Sequence, residues 1–540
     1  MSLQPRTVIV VNKLSGSFKL PAGVRIALRN CEGATCTSNE GGNELSFFGG
    51  GGNSVKNFQR GVLRFELQGS ISEVTATGST VTVSDTTVEK LNLTDCQTTV
   101  IKCTIQQGNL SGGETQSFRN IYQKLNLDTA SYLYSQEDSV QKLTVDSARA
   151  NFSKTTSSGT VSFTKGSVII QDCEWSGDVT FDKSNGVFKK LTAQSVTLTG
   201  DSDQASTLTA QDCTFKKDLT VKQSTANLQD CSVKGDCDFD ESQISAIGLT
   251  TQKLTSQKTV LLMDGGTVKG QAQLTGGSSR LSGVEFKDQF TGSGGAIQSD
   301  GCTFDAQYQF SGGTLDSEKD KMKDQFSASG LIGPCVIRNI QLKDQATISG
   351  DGASSLVLEH AQGSQTQLTV STFSRVDIRK SPMDKLTVSQ ISSLLVDESA
   401  GKTGTVSDVG LAQFIQSDFS DGLTANAVDL LITRDQSKMT ITNCTVNDHN
   451  SKIESASSCQ GFTNGTTVKG GSGNNFINKG GDLTLTGSVV VTVGGTVSNT
   501  TGGLTMGNGF DPGGSSGVVC QQAEDLTIQA KGHVNITAGA

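Results

Sequence analysis

The stretch CTFKKDLTVKQSTANLQDCSV, residues 213–233, decides the fold. It opens and closes on the same unit, a cysteine followed two residues later by an apolar side chain: Cys213 with Phe215, then Cys231 with Val233. The unit recurs as Cys103 with Ile105, Cys173 with Trp175, Cys302 with Phe304, Cys335 with Ile337 and Cys444 with Val446. Working outward from Phe215, the apolar slot is refilled by Val233, Thr251, Val268, Phe286 and Phe304, in steps of 18, 18, 17, 18 and 18. Four residues after the slot come Leu219, Cys237, Ala272, Phe290 and Tyr308. Six after it come Val221, Phe239, Leu274 and Phe310, with Gly292 the exception. A further apolar residue, placed five before the slot, is read at Leu228, Met263, Leu281 and Ile297. Trp175, Val179 and Phe181, with Ile170 before them, keep these offsets in an earlier turn of the pattern, and Thr251 fits it least well.

Apolar residues two apart with polar ones between mark a short strand with one buried face. Three such faces and their turns in eighteen residues make one coil of a narrow single-chain parallel β-helix, an all-β solenoid. The expected core ladder is Cys173, Trp175, Cys213, Phe215, Cys231, Val233, Val268, Phe286, Cys302 and Phe304. The Ser- and Asp-rich piece 200–206 reads as a loop bulging out between coils. The chain holds thirteen cysteines, an odd number, and most fall on the inward rung. They read as buried free thiols, because parallel side-chain vectors on stacked rungs strain a disulfide. Unpaired thiols, and an N-terminus without a secretory pattern, imply assembly in a reducing cytoplasm.

Composition agrees with a solenoid. There are 62 glycines and 5 prolines, and 34% hydrophobic residues, which is little for one large compact core. A stack of coils needs less core per residue. The net charge of −9 and the scattered lysines give no basic stripe, so nucleic acid is not an expected partner. No apolar run approaches the length of a membrane span.

Texture divides the chain in three. Residues 1–60 read as an N-terminal cap or attachment segment, since the first coil of a solenoid needs shielding. Cys31 and Cys36 lie inside it, without the second pair or histidines that a metal knuckle needs. Residues 61–480 read as the solenoid, interrupted near 114–142 and 315–326. The first interruption gathers Tyr122, Tyr132 and Tyr134, a candidate interface; the second is dense in charge and reads as a solvated excursion or a docking loop. Residues 481–540 read as a separate β-rich segment.

Little in the sequence offers chemistry. His360, His449 and His533 are far apart, and no metal, cofactor or catalytic residue is assigned. The enzymatic alternative is a glycan-cleaving β-helix, which needs carboxylates converging on a groove beside aromatic platforms. Asp172, Asp212 and Asp230 stack one residue before their cysteines, a position that also suits plain turn residues.

The finish AEDLTIQAKGHVNITAGA resembles the terminal β-prism of phage tail spikes and of spikes in contractile injection systems, through Asp525, Ile528, Ala530, Gly532, Val534, Ile536, Ala538 and Gly539. The match covers roughly twenty residues. Those spikes often carry an H-x-H metal tip; here His533 is followed by Asn535, so iron binding is not carried over. The resemblance implies a homotrimer and a structural role in a virion, assembled in the host cytoplasm. The expected reading is therefore a non-enzymatic spike, fibre, baseplate or capsid-associated element whose partners are other virion or tail structural proteins. The alternative is an extracellular or virion β-helix that binds or cleaves polysaccharide.

Overall fold

The computed structural model describes residues 8–38, 40–363, 366–434 and 439–449, and beyond them the backbone of short strands as far as 528. Every regular element among them is a β-strand, and the pairings are parallel. Coils about 18 residues apart, about 23 in all, form two units, Met1–Lys269 and Gly270–Ala540.

A coil of the first unit has three sides. The strand Thr214–Phe215 is followed by Leu219–Lys222 and Thr225–Gln229, and these stack on Ser232–Val233, Asp236–Asp240 and Gln243–Ile247 of the next coil. Phe215 stands under Val233, Leu219 under Cys237 and Val221 under Phe239. All six are buried. Thr251 occupies the apolar slot without penalty because its hydroxyl donates inside the coil, to the carbonyls of Gly235 at 3.1 Å and Lys253 at 3.0 Å.

Two of the three corners share one device. A polar residue turns into the left-handed region, and the next residue points inward. Asp172, Asp212 and Asp230 do this with φ of 52°, 54° and 50°, and each amide donates to a carbonyl of the following coil. At the other corner Lys183, Gln223 and Glu241 turn in the same way before Ser184, Ser224 and Ser242. Residue 200–206 insertions aside, the spacing therefore stays near eighteen; between Ala193 and Phe215, which are stacked partners, that loop lengthens the step to 22.

In the second unit Ala272, Phe290, Tyr308, Phe326 and Ala346 form one column, and Phe286, Phe304 and Met322 another. Phe286 and Phe304 stack 5.0 Å apart at 3°, and Phe290 meets Phe304 edge-on at 5.1 Å. Gly292 breaks the apolar pattern for want of space. A Cβ there would come within 2.7 Å of the Phe310 ring and 2.8 Å of Ile297 Cδ1. Ile297 itself needs correcting: it stands over Ser279 and under Leu315, while Ser299 takes the rung above Leu281. It lies seven residues before Phe304, so its inward direction holds but its height does not.

The two expected interruptions are also corrected. Residues 114–142 are coil, with Glu114–Phe118, Ile121–Asp128 and Tyr132–Gln136 paired in register to the coils on either side. The apparent irregularity arises because polar residues hold inward rungs there: Thr115, Ser117, Asn120, Ser135 and Asp138 are all buried. Residues 315–326 likewise continue the ladder, with Leu315 over Ile297 and Met322 over Phe304; Lys319, Lys321, Lys323 and Asp324 are exposed, whereas Asp320 is buried. In the segment read as a cap, the same ladder is already present from Val8, which pairs with Arg25. From Phe476 on, two three-stranded parallel sheets repeat at 21 or 22 residues, one through Phe476–Asn478, Val497–Asn499 and Val518–Cys520 and the other through Leu483–Leu485, Leu504–Met506 and Leu526–Ile528. Apart from the backbone of Ile528, the residues of the spike-like match lie outside the described residues.

Candidate functional site

The recurring inward rung is a hydrogen-bonding site before it is anything else. At a corner the chain leaves the β-ladder, so the amide of the inward residue needs an acceptor that no strand supplies. The side chain one coil further on provides it. Cys103 N donates to Asn120 Oδ1 at 2.7 Å, Asn120 N to Asp138 Oδ1 at 2.6 Å, and Thr155 N to Cys173 Sγ at 3.4 Å. Ser184 N donates to Ser206 Oγ at 3.0 Å at the other corner, and in the second unit Ser381 N donates to Ser399 Oγ at 3.0 Å. Most of these hydroxyls and thiols then donate back to the carbonyl two residues earlier, as Ser399 to Asp397 O at 2.8 Å and Cys213 to Gln211 O at 3.2 Å; Ser206, which follows the inserted loop, donates to Thr199 O at 2.6 Å instead. Cysteine, serine, threonine, asparagine and aspartate are interchangeable here because each carries a polar atom on a short stem.

This accounts for the four cysteines among the ten core residues read from sequence; the other six fill the apolar slot. All are buried. Trp175 is packed edge-on against Phe152 at 5.7 Å and stacked with Phe163. The ten described cysteines are free and buried. Burial pushes Cys103 and Cys173 up to about 11 and Cys36 and Cys302 up to about 12, so they stay thiols at neutral pH. In the stacked pair, the hydrogen bond with Cys231, together with burial, pushes Cys213 up.

Sequence reading missed the serine rungs and the buried acids Asp138, Asp320 and Asp377. Asp138 receives Asn120 N and, at 2.6 Å, Ser135 Oγ; Asn120 continues through Ser117 to the Tyr122 hydroxyl, which lies 2.8 Å from Ser117 Oγ. Tyr122 is therefore a core residue, a correction to its place in the candidate interface; its ring fills the coil and its hydroxyl has an interior partner. Tyr132 and Tyr134 do face outward, Tyr132 accepting from Asn151 Nδ2 at 2.8 Å. The available signal was a polar residue directly before Ser, Asn or Asp at the cysteine spacing.

Asp172, Asp212 and Asp230 are exposed left-handed corner residues. They do not converge on a cavity. His360 is a half-buried corner residue, with φ of 53°; the side chains of His449 and His533 lie outside the described residues. Among the described residues no group of three or more His, Cys, Asp or Glu side chains is placed to hold a metal. No helix among them is long and apolar enough to cross a membrane.

One groove in the first unit has binding geometry. It encloses about 620 Å³ along a corner where the inward rungs are small, Ser131, Ala148 and Gly166. Tyr132, Arg149 and Asn185 line one side and Lys165 the other. The loop 200–206 is fastened beside it: Asp201 pairs with Lys183, Gln204 Nε2 donates to Lys183 O at 3.0 Å, and Thr207 Oγ1 donates to Asn185 Oδ1 at 2.6 Å.

Against this geometry the comparisons with known proteins return a short answer. The chain matches no family model, no curated protein and no solved structure.

Proposed function

We propose that this protein is a non-enzymatic structural component of a virion or phage-like injection machine, serving as a β-helical spike, fibre, baseplate or capsid-associated element. The observation that carries this reading is the corner ladder. The side chains that recur, Cys, Ser, Asn and Asp included, are committed to bonding one coil to the next. Each coil is thereby locked to its neighbours by backbone, hydroxyl and apolar contacts together, which suits a load-bearing element. The spike-like finish supports the same setting and a homotrimer. Mass spectrometry of particles purified from producing cells, with antibody labelling, is expected to find the chain at fixed stoichiometry. Recovery only as a free monomer, absent from particles, overturns the reading.

The groove favours a second reading, a surface that binds polysaccharide. Tyr132 offers a ring face, Asn185 and Ser167 offer polar groups, and Arg149 and Lys165 would favour an acidic glycan. A screen for retention and loss of viscosity on acidic and neutral glycans tests it. Under the structural reading neither occurs; under this one retention occurs and is abolished by the pair Arg149→Ala and Lys165→Ala.

A further inference from the structure

The first described coil is built like the others but has one face that no described residue covers. Ile9, Ile26, Leu45 and Leu63 form one inward column, and Val11, Leu28, Phe47 and Phe65 the next. Leu45, Phe47, Leu63 and Phe65 are wholly buried, whereas Ile9 is 49% exposed. Val11 and Phe18, the latter below Cys36 and Val55, are partly exposed. Val8 and Val10 on the opposite face of the strand are exposed as well. The strand Val8–Asn12 pairs with Arg25–Glu32 on one side, and no described residue pairs with its other side. A bare row of backbone donors and acceptors thus borders an uncovered apolar core, which is the geometry that accepts an added strand.

Charge identifies what fits. Up to residue 31 the sequence contains Arg6, Lys13, Lys19, Arg25 and Arg29 and no carboxylate; the first acid is Glu32, in a chain of net charge −9. Arg25 is occupied by Glu44 at 2.9 Å, and Arg29 lies over the Phe48 ring. Lys13 and Lys19, exposed at the ends of the first two strands, have no ion pair among the described residues. A second copy docking by the same edge would bring the same lysines together, and residues 1–7 would add Arg6 without an acid. Lysines on an edge guard it against like partners; the same charges admit an acidic one.

We propose that the outer edge of Val8–Asn12 is an acceptor site for an acidic β-strand of another protein, which adds as a further rung beneath that strand and covers Ile9, Val11 and Phe18. The inference goes beyond the structural role above and holds whatever particle or surface the protein serves.

The test uses the full chain and two short synthetic peptides, one alternating Val with Glu and one alternating Val with Lys. Fluorescence anisotropy is expected to show the Glu peptide binding at least about tenfold more tightly, with salt weakening it. The double variant Lys13→Glu, Lys19→Glu, both at exposed positions, should invert that preference. Ile9→Lys should abolish binding of either peptide. Hydrogen exchange should show the alternate amides of Val8–Asn12 that face away from Arg25–Glu32 open in the free chain and protected by the Glu peptide. Equal binding of the two peptides overturns the proposal. So does protection of those amides in the dilute free chain, which would assign the cover to residues 1–7. Self-association that competes with the peptide would assign it to a second copy.

Discussion

Asp320 takes the backbone amide of Cys302, one coil away, on Oδ1 at 2.7 Å, and the hydroxyls of Ser299 and Ser317 on Oδ2. It is a buried carboxylate doing the work of a corner serine. Burial, the largest influence, pushes it up to about 6 against the lowering effect of its three donors. The folded chain therefore holds this proton where the unfolded chain, near 3.8, has lost it. Stability from this group is present below about pH 4 and is lost as pH rises to about 6, by about 3 kcal/mol for a two-unit shift. Urea midpoints between pH 4 and 8 should show this slope, and Asp320→Asn should remove it. Asparagine holds the equivalent rung at Asn120, so that variant should be at least as stable at pH 7, whereas Asp320→Ala should lose about 1–3 kcal/mol by orphaning the Cys302 amide.

The serine ladder makes a separate prediction in the same unit. Ser399 accepts from Ser381 N and donates to Asp397 O, while Ser399 N donates to Ser417 Oγ at 2.9 Å. Ser399→Ala removes an acceptor from a buried amide and should cost about 1–3 kcal/mol. Ser399→Cys keeps a polar atom at the rung and should cost less, because Cys173 accepts Thr155 N at a corner of the same form. Denaturation of the two variants side by side settles the order.

Asp212 separates a turn from an active site. At φ of 54° and exposed, it should tolerate Asn or Gly with little change, whereas Asp212→Val puts a β-branched residue in the left-handed region and should cost about 1–2 kcal/mol. Asp172→Asn and Asp230→Asn should be equally silent. Loss of a glycan-cleaving activity with any of these asparagine variants, and intact folding, would place these acids in catalysis instead.

Phe304 is the centre of an aromatic cluster with Phe286, Phe290 and Tyr308, the last edge-on at 4.8 Å. Phe304→Ala should cost about 3–5 kcal/mol. Because a solenoid coil touches chiefly its neighbours, hydrogen exchange should accelerate most in the coils next to residue 304 and fade with distance along the ladder.

Maleimide labelling checks the thiols. The ten described cysteines are buried and free, and burial pushes Cys237 up to about 12, as it does Cys302. Peptide mapping after treatment at pH 8 should find these ten unlabelled in the folded chain and labelled after denaturation. Rapid modification of Cys173 or Cys213 without unfolding would contradict their inward placement.

The coil period, its strand phase and the inward slots from Phe215 to Phe304 were legible because apolar side chains repeated at one spacing are a direct record of stacking. The polar coils were not legible in the same way. Around Tyr122 the inward rungs are Thr115, Ser117, Asn120 and Asp138, and hydrophobicity alone reads them as loop. Asn120 and Asp138 are partnered by amides 17 or 18 residues away, and that pairing exists only once the coils are stacked. Ile297 shows the complementary error: its apolar character gave its direction, and only the register with Ser279 gave its height.

Sequence by itself determined that this chain winds in eighteen-residue coils with thiols and aliphatics inside, because period and polarity are local properties that survive in one dimension. Tertiary structure decided which polar residues are interior, that Asp320 and Asp138 are buried while Asp212 is not, and that the basic first coil leaves Ile9 uncovered. These depend on which group lies one coil above or below. A side chain's environment in a solenoid is set across the stack, by neighbours that are distant along the chain.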